Sequence, residues 1–374
     1  MIKIETFEKF WIIVAACRQT AVFLWKIDWS GFLPKAATPA MMRIGLCALI
    51  CSGLSTGCRS TATDPPAIHP INLVVAADGS GQFTNVQAAI MSVPSGNRIS
   101  PVIIHIKPGS YKELIYVQRE KHCFSLIGEN PATTVISYNL SANLTNFDGK
   151  PLGTFRTPSA LIDADDFKAE NITFENSAGA VGQALAVRVD GDRTVFRNCR
   201  FLGWQDTILL NRGRQYFENC AIAGHVDFIF GAATAWFEQC HIQCLGDGYI
   251  TAASTPADQP FGFVFSNCKI TGDKPETRTF LGRPWRIYAS TIFLNTEMSD
   301  VVRPEGWNDW KKPETHQTAR YAEFNSAGPG GSPKQRVDWA KQLTQAEAAG
   351  ITVGKVLGGA DGWNPKAGQY HEKP

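Results

Sequence analysis

Phe196-Arg-Asn-Cys199, Phe217-Glu-Asn-Cys220 and Phe237-Glu-Gln-Cys240 repeat one pattern at spacings of 21 and 20 residues. Phe174-Glu-Asn176 lies 22 residues before the first of these, and Phe265-Ser-Asn-Cys268 continues the series after a longer gap. A period near 20 residues that carries one aromatic and one Asn-Cys pair marks a chain wound into stacked coils, each burying its apolar face against its neighbours. Coils that pair as parallel strands place equivalent residues about 4.8 Å apart. Asp206 and Asp227 are 21 residues apart and Gln183 and Gln205 are 22 apart, so two carboxylates and two amides converge on one patch. Two carboxyl groups this close cannot both ionise freely, and one becomes a proton donor beside a nucleophile.

The composition is that of a folded globular chain: 374 residues, 44% hydrophobic, 19% charged, formal charge +2. It points to neither disorder nor a membrane bundle, and nothing in it calls for nucleic acid. Arg188, Arg193, Arg197, Arg200, Arg212 and Arg214 crowd the repeat region. They read either as a binding strip for an anionic polysaccharide or as a solvated basic face.

Of ten cysteines, Cys199, Cys220 and Cys240 fall in the repeat register and Cys268 in its continuation. Such a ladder suits stacked small apolar side chains, though stacked positions are within disulfide reach, so bonding stays open. Cys240-His-Ile-Gln-Cys244 has no second pair to complete a zinc site.

Residues 1–40 read as an N-terminal extension or a misassigned start. A secretory signal begins at Met41 or Met42, with Arg43 followed by the apolar run Ile44–Leu54. Leu54-Ser-Thr-Gly-Cys58 resembles a bacterial lipoprotein cleavage box, which makes Cys58 the lipidated residue; plain secretion and an uncleaved anchor are the alternatives. Residues 59–70 form a Thr/Ala/Pro tether, and residues 71–374 the coil domain.

Ile71–Ala76, Val102–Ile106 and Phe124–Ile127 read as strands, and Thr84–Ile90 as a short helix capping the first coil. Asp78-Gly-Ser-Gly81 lacks the ending of a phosphate loop and reads as a turn. Gly109-Ser-Tyr-Lys-Glu113 reads as a turn with one partly buried Tyr. Tyr138–Thr157 is long enough to overhang a groove. Glu305–Trp310 completes the last coils, and Asp338–Ala349 has the pattern of a helix packing back on the stack. Trp204, Tyr216 and Phe228 supply further aromatics near the acidic pair; Trp204 and Tyr216 are not assigned to a groove, because only about half the residues of a strand face outward.

Gln205-Asp-Thr-Ile208, Val226-Asp-Phe-Ile-Phe-Gly231 and Leu281-Gly-Arg-Pro-Trp285 resemble the three signature segments of the pectinesterases, or pectin methylesterases, of bacterial type. Gly109–Glu113 and Gly182–Arg188 resemble two more, and the agreement runs from about Asn72 to Pro365. The resemblance implies an all-β fold: a single-stranded right-handed parallel β-helix with a short N-terminal capping helix and a C-terminal helix packed on the coil. It implies hydrolysis of methyl esters on galacturonate units of pectin, methyl-esterified homogalacturonan, without metal or cofactor. Asp227 is then the nucleophile, Asp206 the acid and base, Gln183 and Gln205 the oxyanion donors, Arg283 the partner of Asp227, and Phe230 and Trp285 the substrate contacts. Arg283 rests on the resemblance alone. Leu209 and Leu210 stand where many members carry an aromatic, and Ile250-Thr-Ala-Ala-Ser-Thr255 replaces another frequent segment; both bear on the substrate subsites.

Other readings remain at this stage: a glycosidase or lyase on a similar coil, an esterase for another acyl group, or a non-catalytic pectin-binding surface lipoprotein. Within residues 71–374 no Gly-x-Ser-x-Gly elbow offers a serine nucleophile. The chain is taken as a monomer by default and as exported.

Overall fold

The computed structural model describes residues 70–96 and 100–366. The expectations for residues 1–69, including the signal, Cys58 and the tether, lie outside them.

The described chain is a parallel β-helix. Eleven strands stack into one sheet, from Ile71–Val75 to Lys341–Gln342. A thirteen-stranded sheet folds around the other faces, where Ala221–Gly231 and His241–Ala253 run unbroken from one face to the next. Consecutive coils pair in parallel: Phe196 faces Phe217, Phe217 faces Phe237, and Phe237 faces Phe265.

The repeat now has a physical cause at each position. The Phe points inward and stacks on its equivalents, with ring centroids 4.9, 4.6, 4.3 and 4.6 Å apart along Phe196, Phe217, Phe237, Phe265 and Phe293. The Asn two residues on turns the corner between sheets with φ of 51° at Asn198, 53° at Asn219 and 54° at Asn267. Asn tolerates this left-handed conformation better than most side chains. The Cys that follows is buried, and its Sγ–H is aimed at main-chain carbonyls such as Ala169 O from Cys199 at 3.5 Å. All six cysteines among the described residues are free thiols.

Phe174 does not belong to this column. It pairs with Phe201 on the neighbouring face, and the residue below Phe196 is Ala169. Its similar spacing arises because both faces carry inward Phe residues.

The first coil is closed by the helix Val86–Ser92. The Asn85 side chain caps it through Ala88 N at 2.8 Å. Glu113 accepts from Val86 N and Gln87 N, both at 2.8 Å, bridging two orphan donors of the helix start. Gly109–Lys112 is a strand rather than a turn, and Tyr111 is buried with its hydroxyl donating to Lys107 O at 2.8 Å.

At the other end the expected helix over 338–349 is much shorter. Gln345–Ala349 forms one turn, closed by a Thr344–Glu347 capping box, and Val353–Leu357 a second. Together they cover Val195, Tyr216, Trp236 and Val264 on the outer face of the eleven-stranded sheet. Trp339 stacks on His316 at 4.9 Å and docks against the core.

Five of the six arginines of the cluster, all but Arg200, are paired with carboxylates. Arg188 pairs with Asp190, Arg193 with Asp166, Arg197 with Glu218, Arg212 with Asp163, and Arg214 with Asp192 and Asp361. Arg197 and Arg214 also donate to Pro365 O and Leu357 O, so much of the cluster latches the C-terminal segment to the sheet.

Candidate active site

The register places the acidic pair as the spacing requires. Ile208 faces Ile229, and Asp206 N donates to Val226 O at 3.0 Å, so Asp206 and Asp227 occupy equivalent places on consecutive coils. Both have left-handed backbones, with φ of 64° and 51°. That conformation bends the chain at the entrance to the outer-facing strand, and the pairing of Ala221–Gly231 with His241–Ala253 shifts register there. Phe228 and Ile229 therefore both point into the core, while Phe230 turns outward. Gly224 makes the bend possible, since a Cβ there would collide with Phe228 and the Trp204 carbonyl.

Gln183 and Gln205 are joined by a parallel bridge on adjacent coils. Neither side-chain amide has a protein partner among the described residues, which leaves four N–H donors unused beside the acids.

Arg283 arrives from farther up the stack. Gly282 faces Thr251 and Tyr249 faces Val226, so two coils separate its origin from Asp227. Its side chain reaches back across the intervening coil, and Nε and Nη2 donate to the two Asp227 oxygens at 2.8 and 2.6 Å. The guanidinium lies between two rings, 3.9 Å from the Tyr249 centroid and 3.6 Å from that of Trp310.

The two carboxyl groups are thereby made unequal. Asp206 is 7% exposed, and its pKa is pushed up to about 8 by burial and by the neighbouring Asp227 charge, against the pull of Arg283. Burial also raises Asp227, but the hydrogen bonds and charge of Arg283 oppose it, helped by His225. The two groups are thus biased apart, Asp206 toward keeping its proton and Asp227 toward the carboxylate that Arg283 holds.

Phe230 and Trp285 meet at the edge of this patch, with ring centroids 5.8 Å apart. They join Leu185, Leu209, Ala252 and Trp310 in an outer apolar cluster. Leu209, in the place of the expected aromatic, pairs directly with Phe230. The 138–157 loop leans on the same region: Ala142 N donates to Gln183 O at 2.8 Å, and Phe155 stays 48% exposed beside Arg188. Tyr216 lies on the opposite sheet and is buried, whereas Trp204 packs edge-on against His225 at 5.4 Å. No group of three or more His, Cys, Asp or Glu among the described residues has metal-ligand geometry.

All seven expected site residues fall in one patch. Sequence reasoning missed Tyr249 and Trp310. Tyr249 directly precedes Ile250–Thr255, the segment that departs from the resemblance. Trp310 was read as part of a closing coil, a place that Trp307 takes through its bridge to Gly282.

A family model described as Pectinesterase matches residues 72–360. The chain belongs to the pectinesterase family. It is 42% identical over 280 residues to pectinesterase 31 of Arabidopsis thaliana, covering 73% of this chain and 88% of that protein. Pectin methylesterase from carrot superposes with a TM-score of 0.73 at 32% identity, covering 78% of this chain and 94% of that one. A pectin methylesterase variant in complex with a hexasaccharide gives a TM-score of 0.69 at 31% identity, covering 79% and 98%. The expectation of a bacterial type is not borne out, since these curated relatives, at 36% to 42% identity, are plant pectinesterases.

Proposed function

We propose that the protein is a pectin methylesterase, which hydrolyses the methyl esters of homogalacturonan to methanol and pectate. The observation that carries this reading is the pairing of Asp227, gripped through both oxygens by Arg283, with a buried Asp206 whose pKa is pushed up to about 8, beside two unpaired amides.

Asp227 attacks the ester carbonyl carbon, and the carbonyl electron pair moves onto oxygen. The Gln183 and Gln205 amides donate to that oxyanion, a charge present only in the transition state and intermediate. Collapse breaks the bond to the methoxy oxygen, which takes the proton of Asp206 and leaves as methanol. Asp206, now a carboxylate, removes a proton from water as the water attacks the acyl-enzyme. Galacturonate leaves with its new carboxyl group, and Asp227 and Asp206 return to their starting states. Phe230 and Trp285 offer apolar faces to the sugar rings and the ester methyl groups.

Product analysis on methylated pectin tests the reading: it requires methanol without new reducing ends or unsaturated sugars. A rise in reducing ends would favour a glycosidase, and unsaturated product a lyase. Export through the signal at 41–58, with a lipid at Cys58, is part of the same proposal; a membrane-bound mature protein whose first residue is acylated Cys58 is the expected outcome of fractionation and mass spectrometry.

A further inference from the structure

Arg283 is covered on both faces of its guanidinium. The two rings come from different coils: Tyr249 from the coil that the Arg283 side chain crosses, and Trp310 from the segment after Trp307. Tyr249 is backed by Phe280, stacked at 5.5 Å.

Trp310 is delivered by an unusual backbone. Trp310 and Lys311 have φ of 58° and 57°, two successive non-glycine residues in the left-handed region. Such a conformation costs free energy at each residue and persists only where surrounding contacts over-determine it. Here Asn308 Oδ1 accepts from Trp310 N at 2.8 Å, and the ring lies 3.6 Å from Arg283.

A guanidinium that grips a carboxylate edge-on uses in-plane donors and leaves its faces open. Rings on both faces exclude water from the cation and bar rotation out of the carboxylate plane. The need is acute, because a long side chain reaching over a whole coil would otherwise sample many rotamers.

We propose that Tyr249 and Trp310 are positioning residues for the nucleophile: their rings clamp Arg283 so that Asp227 stays ionised and fixed in orientation. The inference rests on the roles given above to Asp227 and Arg283. The rings act through Arg283, so their loss lowers kcat rather than raising KM, and it moves the acid limb of the pH profile upward, because a loosened cation holds Asp227 ionised less well.

The test uses the full enzyme with methylated pectin and the variants Tyr249→Leu, Trp310→Leu, Tyr249→Phe and Trp310→Phe. Each Leu variant should lose about 30-fold in kcat, the factor expected for one desolvated cation–π contact. KM should change less than about threefold, and the acid limb should rise. Each Phe variant should recover most of the rate and the wild-type limb. In an Arg283→Gln background, Trp310→Leu should add little further loss. Leu variants with an unmoved acid limb, or losses that simply add to that of Arg283→Gln, would overturn the clamp. If Trp310→Leu does not fold, the Tyr249 pair decides alone. A wild-type enzyme that releases no methanol would overturn the reading of the site itself, whereas an active wild type with wild-type-like Leu variants would overturn only the clamp.

Discussion

Arg283 holds both oxygens of Asp227, at 2.8 and 2.6 Å, from an origin two coils away. The pair is largely dry, with side-chain exposures of 16% and 9%. Lys cannot reproduce a two-point grip and carries its charge on a single atom. Arg283→Lys should therefore lower kcat for methanol release by about 10- to 100-fold, the worth of one charged hydrogen bond. The acid limb of kcat/KM should move to higher pH.

Activity should be bell-shaped in pH. The mechanism proposed above needs Asp206 protonated and Asp227 ionised, and the pair titrates as a unit. Asp206 is pushed up to about 8, so kcat/KM should fall tenfold per unit above that value. The acid limb should lie above the ordinary carboxylate range, since burial raises Asp227. A pH–rate profile in methanol release checks both limbs.

Asp206 should also cost the fold stability. Its folded pKa is about 8 against an ordinary value of 3.8, so the folded state keeps a proton that the unfolded chain releases. Stability from this group is full below the unfolded pKa and is lost as pH rises toward 8, at about 1.4 kcal/mol per unit. Asp206→Asn should thus raise Tm at pH 8 and change it little at pH 4, while slowing methanol release by about 10² to 10⁴. Melting curves at the two pH values check the sign.

Phe237 stacks between Phe217 and Phe265 at 4.6 and 4.3 Å and is fully buried. Phe237→Ala should destabilise the helix by about 3–5 kcal/mol. Denaturant unfolding measures this, and the register of the two aspartates should survive in the folded fraction.

The coil register was legible because its period is written in residues with one physical task each: Phe fills, Asn turns, Cys packs. That period brought Gln183, Gln205, Asp206 and Asp227 together without any structure. Arg283 was not legible from spacing, since it lies two coils from its partner and reaches it only by side-chain length. Trp310 was hidden because Trp307, three residues earlier, fits the closing coil equally well by type. The role of the arginine cluster stayed open between a binding strip and a solvated face, because sequence shows where cations are but not that Asp192 and Asp361 neutralise Arg214. The C-terminal helix was overread: its apolar spacing continues through a segment where Lys341–Gln342 extends the sheet instead.

The most direct measurement of the central claim is methanol release from methylated pectin by Asp227→Ala beside the wild type, with circular dichroism on both. The wild type should release methanol, and the variant should give the same spectrum with no release. Release near the wild-type rate from a folded Asp227→Ala would contradict that claim.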